Sequence, residues 1–212
     1  MRTRGSQRAQ NVDYYRRNRH LEIQRVRVRQ AGMVELLRDL RRVPCQDCGG
    51  TFKPHQMEFD HRDPASKSFN IMAGRVMLMA TAKVLNEVAK CDVVCVNCHR
   101  LRSREQHRAR LAQQTPGRSE RLEEKRANWR RQAALLDGLR DVPCADCGDR
   151  FPPCSMDFDH RDPSTKRSTV PAMIGRAGDA RILAEVAKCD IVCANCHRAR
   201  TVERRVRAIE RE

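Results

Sequence analysis

The sequence predicts a helix-rich α+β chain built from two tandem copies of one small module, with long Arg-rich helices flanking them. Three observations predict this. MEFDHRDP at 57–64 recurs as MDFDHRDP at 156–163, and CDVVCVNCHR at 91–100 recurs as CDIVCANCHR at 189–198. Each pair of segments is preceded by a Cys-x-x-Cys, Cys45/Cys48 and Cys144/Cys147. Apolar residues at loosely helical spacing, with arginines between them, lead into each copy. The copies are offset by 99 residues from Cys45 to His61 and by 98 at Cys95 and His99, so one residue is lost between. Two copies make a duplication rather than a solenoid.

In chain order, residues 1–11 are polar and basic and read as a disordered lead-in. Val12 to Val43 reads as a helix, with Tyr15, Leu21, Val26, Met33, Leu37 and Leu40 as its apolar residues and Gly32 as a weak point. Pro44 ends it. Cys45–Cys48–Gly49–Gly50 has the form of a metal knuckle, with glycine where a tight turn needs positive φ. Phe52 to Phe59 supplies a short strand carrying Asp60 and His61 at its end. A polar loop over 62–70, a helical stretch over 72–90 and an Arg-rich helix from Asn97 follow. Thr115-Pro116-Gly117 is the clearest break. The plan then repeats, with Trp129, Ala133 and Leu136 in the second lead-in helix. The resulting division is a basic helical segment over 1–43, a first module over 44–113, a linker and helix over 114–142, and a second module with its C-terminal helix over 143–212.

Composition narrows the function. Aromatics are 4 % and charged residues 33 % of 212 residues. Such a chain buries little apolar area, which favours small modules stapled by metal. Scarce aromatics also disfavour a base-stacking single-strand binder. The net charge is +16, and it is unevenly placed: +8 over 1–43, 0 over 44–99, +7 over 100–131, −2 over 132–197 and +3 over 198–212. Near-neutral modules between Arg-rich helices suit phosphate-backbone contact around a separate chemical site. Arg25, Arg27 and Arg29 are the backbone-gripping candidates in the first helix. No signal-peptide h-region or membrane-length apolar run is present, so a reducing cytosol is expected and no membrane partner.

In that compartment the eleven cysteines read as metal ligands before disulfides. Cys45, Cys48, Cys95 and Cys98 form one four-thiolate zinc site, and Cys144, Cys147, Cys193 and Cys196 the other. Such sites leave no open position for chemistry and are structural. Cys91 and Cys189 are fifth thiols and read as small buried residues. A second constellation is Asp60, His61 and His99, repeated as Asp159, His160 and His197. Carboxylate and imidazole can bind a divalent cation and activate water beside it. Neighbours on a strand face opposite ways, so Asp60 and His61 serve one site only if the backbone turns there. The bland alternative is a zinc module in which these residues merely satisfy hydrogen bonds.

The order Cys-x-x-Cys, Asp-His, Cys-x-Asn-Cys-His resembles the HNH endonuclease family in its four-cysteine zinc-bound form, over about 44–104 and 143–202. The resemblance implies a ββα-metal finger in each copy: two strands and a helix around one catalytic cation, Mg²⁺ or Mn²⁺. It implies His61 and His160 as general bases, and Asp60 with His99 and Asp159 with His197 as cation ligands. Arg100 and Arg198 follow the ligand histidine and are placed to reach a scissile phosphate. The family's middle Asn falls at Lys90 and Lys188. Asn97 and Asn195 stand inside the closing Cys-x-Asn-Cys instead, as catalytic candidates that either orient the catalytic loop or cap the closing helix. The implied activity is metal-dependent hydrolysis of DNA phosphodiesters. The duplication leaves the oligomeric state open: one form is a monomer acting as a pseudo-dimer, another a chain in which one copy serves only for docking. The rival is a non-catalytic zinc protein on the same scaffold, binding DNA or serving in assembly.

Overall fold

The structure, a computed structural model, describes residues 4–71, 74–112 and 120–211. Thr115–Gly117 lies outside them. The chain is helix-rich α+β. In order come α1 (Arg4–Asp39), β1 (Met57–His61), α2 (Thr81–Val88), β2 (Cys91–Cys95) and α3 (Val96–Ala112). After them follow α4 (Glu120–Leu139), β3 (Met156–His160), α5 (Val170–Met173), α6 (Asp179–Val186), β4 (Cys189–Cys193) and α7 (Ala194–Ile209). β1 pairs with β2 and β3 with β4 in two two-stranded sheets. The second is antiparallel, from Met156 opposite Cys193 to His160 opposite Cys189. Each copy therefore has strand, strand and closing helix in that order. Among the described residues no helix is long and apolar enough to cross a membrane.

Several expectations are corrected. Helix α1 already runs from Arg4, where a disordered lead-in was expected. Residues 4–11 contain no proline, and Arg, Gln and Ala propagate a helix well. Gly32 does not break it; nothing lies within 4 Å of where its Cβ would be. The strand expected over 52–59 is narrower at its start, because Pro54 opens a 3₁₀ turn to Gln56 before β1. Asp60 and His61 close the strand as its last two residues. The stretch 72–90 divides into a 3₁₀ turn, Gly74–Leu78, and α2, with 72 and 73 outside the described residues.

The chain groups into two compact units. One comprises 1–44 and 59–93, the other 45–58 and 94–212. In the first, Met33 and Leu37 of α1 pack with Ile71, Val76, Val84 and Cys91. Only the last turns of α1 are used this way: Tyr15, Leu21 and Val26 stay exposed. The Arg41 guanidinium caps this core, 4.5 Å over the Phe59 ring. In the second unit, Leu136 of α4 packs with Phe158, Val170, Ile182 and Cys189. A neighbouring cluster of Met156, Val192, Cys144 and Cys193 is half cysteine.

Each copy also buries an ionic knot. Glu87 (2 % exposed) lies 2.9 Å from His61 Nε2 and accepts from Lys90 Nζ at 2.7 Å and the Ser68 N–H at 2.7 Å. Glu185 repeats it with His160 at 2.8 Å, Lys188 at 2.6 Å and the Arg167 N–H at 2.8 Å. These bonds, led by the lysine in each case, hold both carboxyls down at about 2. A depressed carboxyl stabilises the fold above its unfolded value, and that contribution is lost as pH falls from there through about 2. Glu185→Gln is therefore expected to lower stability by about 3 kcal/mol at pH 7. Denaturant melts should show the gap to the parent shrinking below pH 4; an equal gap at pH 7 and pH 3 would argue against the knot.

Candidate metal centres and active site

The two sulfur clusters are the best-formed sites. Sγ atoms of Cys45, Cys48, Cys95 and Cys98 all lie within 4.8 Å of one another, as do those of Cys144, Cys147, Cys193 and Cys196. The knuckle geometry follows from glycine. Gly49 and Gly148 sit at φ 68° and 76°, where a side chain would be strained. Their N–H groups close the turn on the Cys45 and Cys144 carbonyls at 2.9 Å. Burial pushes the Cys45 thiol up, but N–H donors from Cys48, Cys95 and Asp47 outweigh it and bring it to about 7. Cys144 is brought to about 7 in the same way by Cys147, Cys193 and Asp146. Burial and then the neighbouring Cys95 or Cys193 raise Cys98 and Cys196. Four sulfurs at this spacing, with no disulfide among them, can hold one metal ion per cluster, and that donor set suits zinc. Cys91 and Cys189 are buried apart, their thiols turned to the Glu87 and Glu185 carbonyls.

The second constellation separates onto two faces. Asp157 and Asp159, two residues apart on β3, meet α7. His197 Nδ1 lies 2.8 Å from Asp157 Oδ2, and its Nε2 lies 3.5 Å from Asp159 Oδ1. His160, between strand end and core, instead meets Glu185 of α6. Strand alternation persists through Asp159-His160, so the turn that would bring base and ligand together is absent. His61 likewise goes to Glu87 on α2. In the first copy, His99 Nδ1 lies 2.5 Å from Glu58 Oε2. Asp60 lies on β1 in the first unit and His99 on α3 in the second.

Arginines hold the carboxylates. Arg204 grips Asp159 with two bonds of 2.7 and 2.8 Å, and Arg200 adds one at 3.0 Å while also holding Asp146 and Asp190. Burial raises the Asp159 carboxyl, but Arg204 and Arg200 pull it below its usual value. Arg100 and Arg198 do not point at open space. Arg100 forms a bidentate pair with Asp157 of the other copy at 2.7 and 2.8 Å, and Arg198 reaches Glu58 of the other copy at 2.6 Å. Burial raises Asp157 and Glu58; His197 with Arg100, and His99 with Arg198, overcome it and hold both at about 2.

The asparagines belong to the same exchange. Asn97 and Asn195 are buried, and the Asn195 N–H donates to Asn97 Oδ1 at 3.1 Å. Ser155 Oγ donates to the Asn97 carbonyl and Gln56 Nε2 to the Asn195 carbonyl, each at 3.0 Å. Asn195 does not cap α7: Cys193 does, its sulfur accepting from the Cys196 N–H. Among the first-helix candidates, Arg25 pairs with Glu22 at 2.5 Å and Arg29 donates to the Met79 carbonyl at 3.1 Å.

Sequence reasoning missed Glu58 and Asp157, although both stand in the repeated octapeptide two residues before the aspartate, hence on its strand face. It also missed Glu87 and Glu185, which recur in the shared Glu-Val-Ala-Lys-Cys-Asp. The chain matches no family model, no curated protein and no solved structure.

Proposed function

We propose that the chain is a metal-dependent HNH-type endonuclease acting on DNA, with two zinc-stapled fingers. One observation supports this most: in each copy the histidine after the closing cysteine pair lies against a strand carboxylate, His197 on Asp157 and His99 on Glu58. Asp159 and His197 offer the oxygen and nitrogen donors that a divalent cation takes, and such a cation supplies charge stabilisation at the phosphorus and leaving oxygen. Arg200 and Arg204 keep Asp159 ionised. Glu185 is ionised and can only accept, so it holds the His160 proton on Nε2 and leaves Nδ1 as the basic nitrogen. Glu87 does the same for His61.

The test is cleavage of supercoiled plasmid with Mg²⁺ or Mn²⁺ and a chelator control. His197→Ala is expected to slow cutting roughly a hundredfold or more while both zincs stay bound. Cutting at the parental rate by this variant would remove His197 from the reaction. A second reading has its own support. Asp159 is saturated by two arginines, and His160 faces α6 rather than α7. That arrangement suits a zinc protein that binds DNA without cutting it, and a parent inert with every divalent metal would favour it.

A further inference from the structure

We infer that the second copy carries a seat for the phosphates of a polynucleotide backbone, in the cavity between α5 and α6. The inference rests on the DNA reading above and specifies where on the chain the backbone lies. The cavity has a volume of about 540 Å³ and is lined by Arg167, Arg176, Arg181 and Lys188, with Met173 and small alanines between them. Lys188 and Glu185 cancel at 2.6 Å. The guanidiniums of Arg167, Arg176 and Arg181 have no carboxylate or carbonyl partner among the described residues. Several arginines elsewhere in the same unit are committed: Arg131 to Asp179, Arg198 to Glu58, Arg204 to Asp159. Three uncommitted cations thus line one concavity, within a stretch, 132–197, whose net charge is −2.

The frame that carries them is fixed. Gly175, at φ 72°, donates its N–H to Gln132 Oε1 at 2.7 Å. A side chain there would be strained, its Cβ standing 3.4 Å from the Trp129 ring. Gln132 is 2 % exposed and ties down the Ala177 carbonyl at 2.9 Å and Asp179 at 2.8 Å. The segment bearing Arg176 is thereby fastened to α4, and the Arg167 backbone is fastened to Glu185. Cations on fixed backbone meet a phosphate without the cost of ordering a loop. The seat belongs to the second copy. In the first copy Ser68 stands at the position of Arg167, which removes one cation, while Lys83 keeps one at that of Arg181.

The experiment compares the full chain with the triple variant R167Q/R176Q/R181Q, using duplex oligonucleotide anisotropy across salt with no added Mg²⁺ or Mn²⁺. No described intrachain partner is lost, so the variant should keep two zincs and the parental melting temperature. Its Kd should rise about tenfold or more, and the slope of log K against log salt should flatten by about 3, near one unit per lost phosphate contact. K83Q should leave the slope unchanged. Inorganic pyrophosphate should compete with duplex on the parent and not on the triple variant. A triple variant with the parental slope overturns the seat while leaving the DNA reading in place. A parent that binds no duplex overturns both.

Discussion

Cys45→Ser or Cys196→Ser is expected to leave the chain with one zinc instead of two and to unfold the elements around the lost site. The physical reason is the poverty of the alternative core. Beside the second site the buried cluster is Met156 and Val192 with two of the cysteines themselves, Cys144 and Cys193. Four sulfurs within 4.8 Å of one another join the knuckle before the strands to the first turn of the closing helix. Metal binding in such modules contributes on the order of 10 kcal/mol or more, beyond what a core this small can replace. Cys189→Ser is the matched control. Its sulfur faces the Glu185 carbonyl at 3.4 Å, outside the cluster, so both zincs should remain and stability should fall by about 1 kcal/mol. Metal analysis with far-UV circular dichroism reads both outcomes. A folded Cys196→Ser chain with two zincs, or a Cys189→Ser chain that loses one, would refute the ligand assignment.

The cysteine framework was legible because its spacing carries the geometry: two ligands on a tight turn need Cys-x-x-Cys and glycine, and the duplication repeats both. The strand–strand–helix order was legible from the same segments. The partners of the charged residues were not. Nothing local says that Arg100 and Arg198 cross to Asp157 and Glu58 of the opposite copy, because that depends on how the copies meet. The role of Asn97 and Asn195 failed to show for the same reason: the Asn97 side chain meets the Asn195 N–H, and their carbonyls accept from Ser155 and Gln56, each of the opposite copy. Strand alternation did foretell the separation of Asp159 from His160. The turn expected to cancel it falls one residue late, after β3 ends at His160. The exposed front of α1 shows the limit of periodicity. A helical stripe from Tyr15 to Leu40 is present in the sequence, but among the described residues the buried cluster takes it up only from Met33 onward.

His61→Ala and His160→Ala are each expected to suppress cutting of one strand, and the double variant to be inactive. On the endonuclease reading proposed above, one finger would cut one strand per encounter, so two fingers in one chain would cut both. The reciprocal pairs Arg100–Asp157 and Arg198–Glu58 tie each closing helix to the other copy's strand, and the Asn97–Asn195 contact joins the two helices, as a pseudo-dimer interface would. Loss of a general base should cost roughly a hundredfold or more in rate, while zinc content and DNA affinity persist. On supercoiled plasmid each single variant should therefore stall at the nicked circle, whereas the parent proceeds to linear. Arg100→Ala separates a shared interface from two independent sites. Its partner is the carboxylate beside His197, so it should slow the strand that His160→Ala spares least, the second copy's own. Strand-specific end labels read this directly. If both single histidine variants linearise DNA at the parental rate, neither is the base, and their bonds to Glu87 and Glu185 are structural only. If one alone abolishes all cutting, that copy is the sole nuclease and the other serves for docking, the role for which the cations around the α5–α6 cavity already suit the second copy.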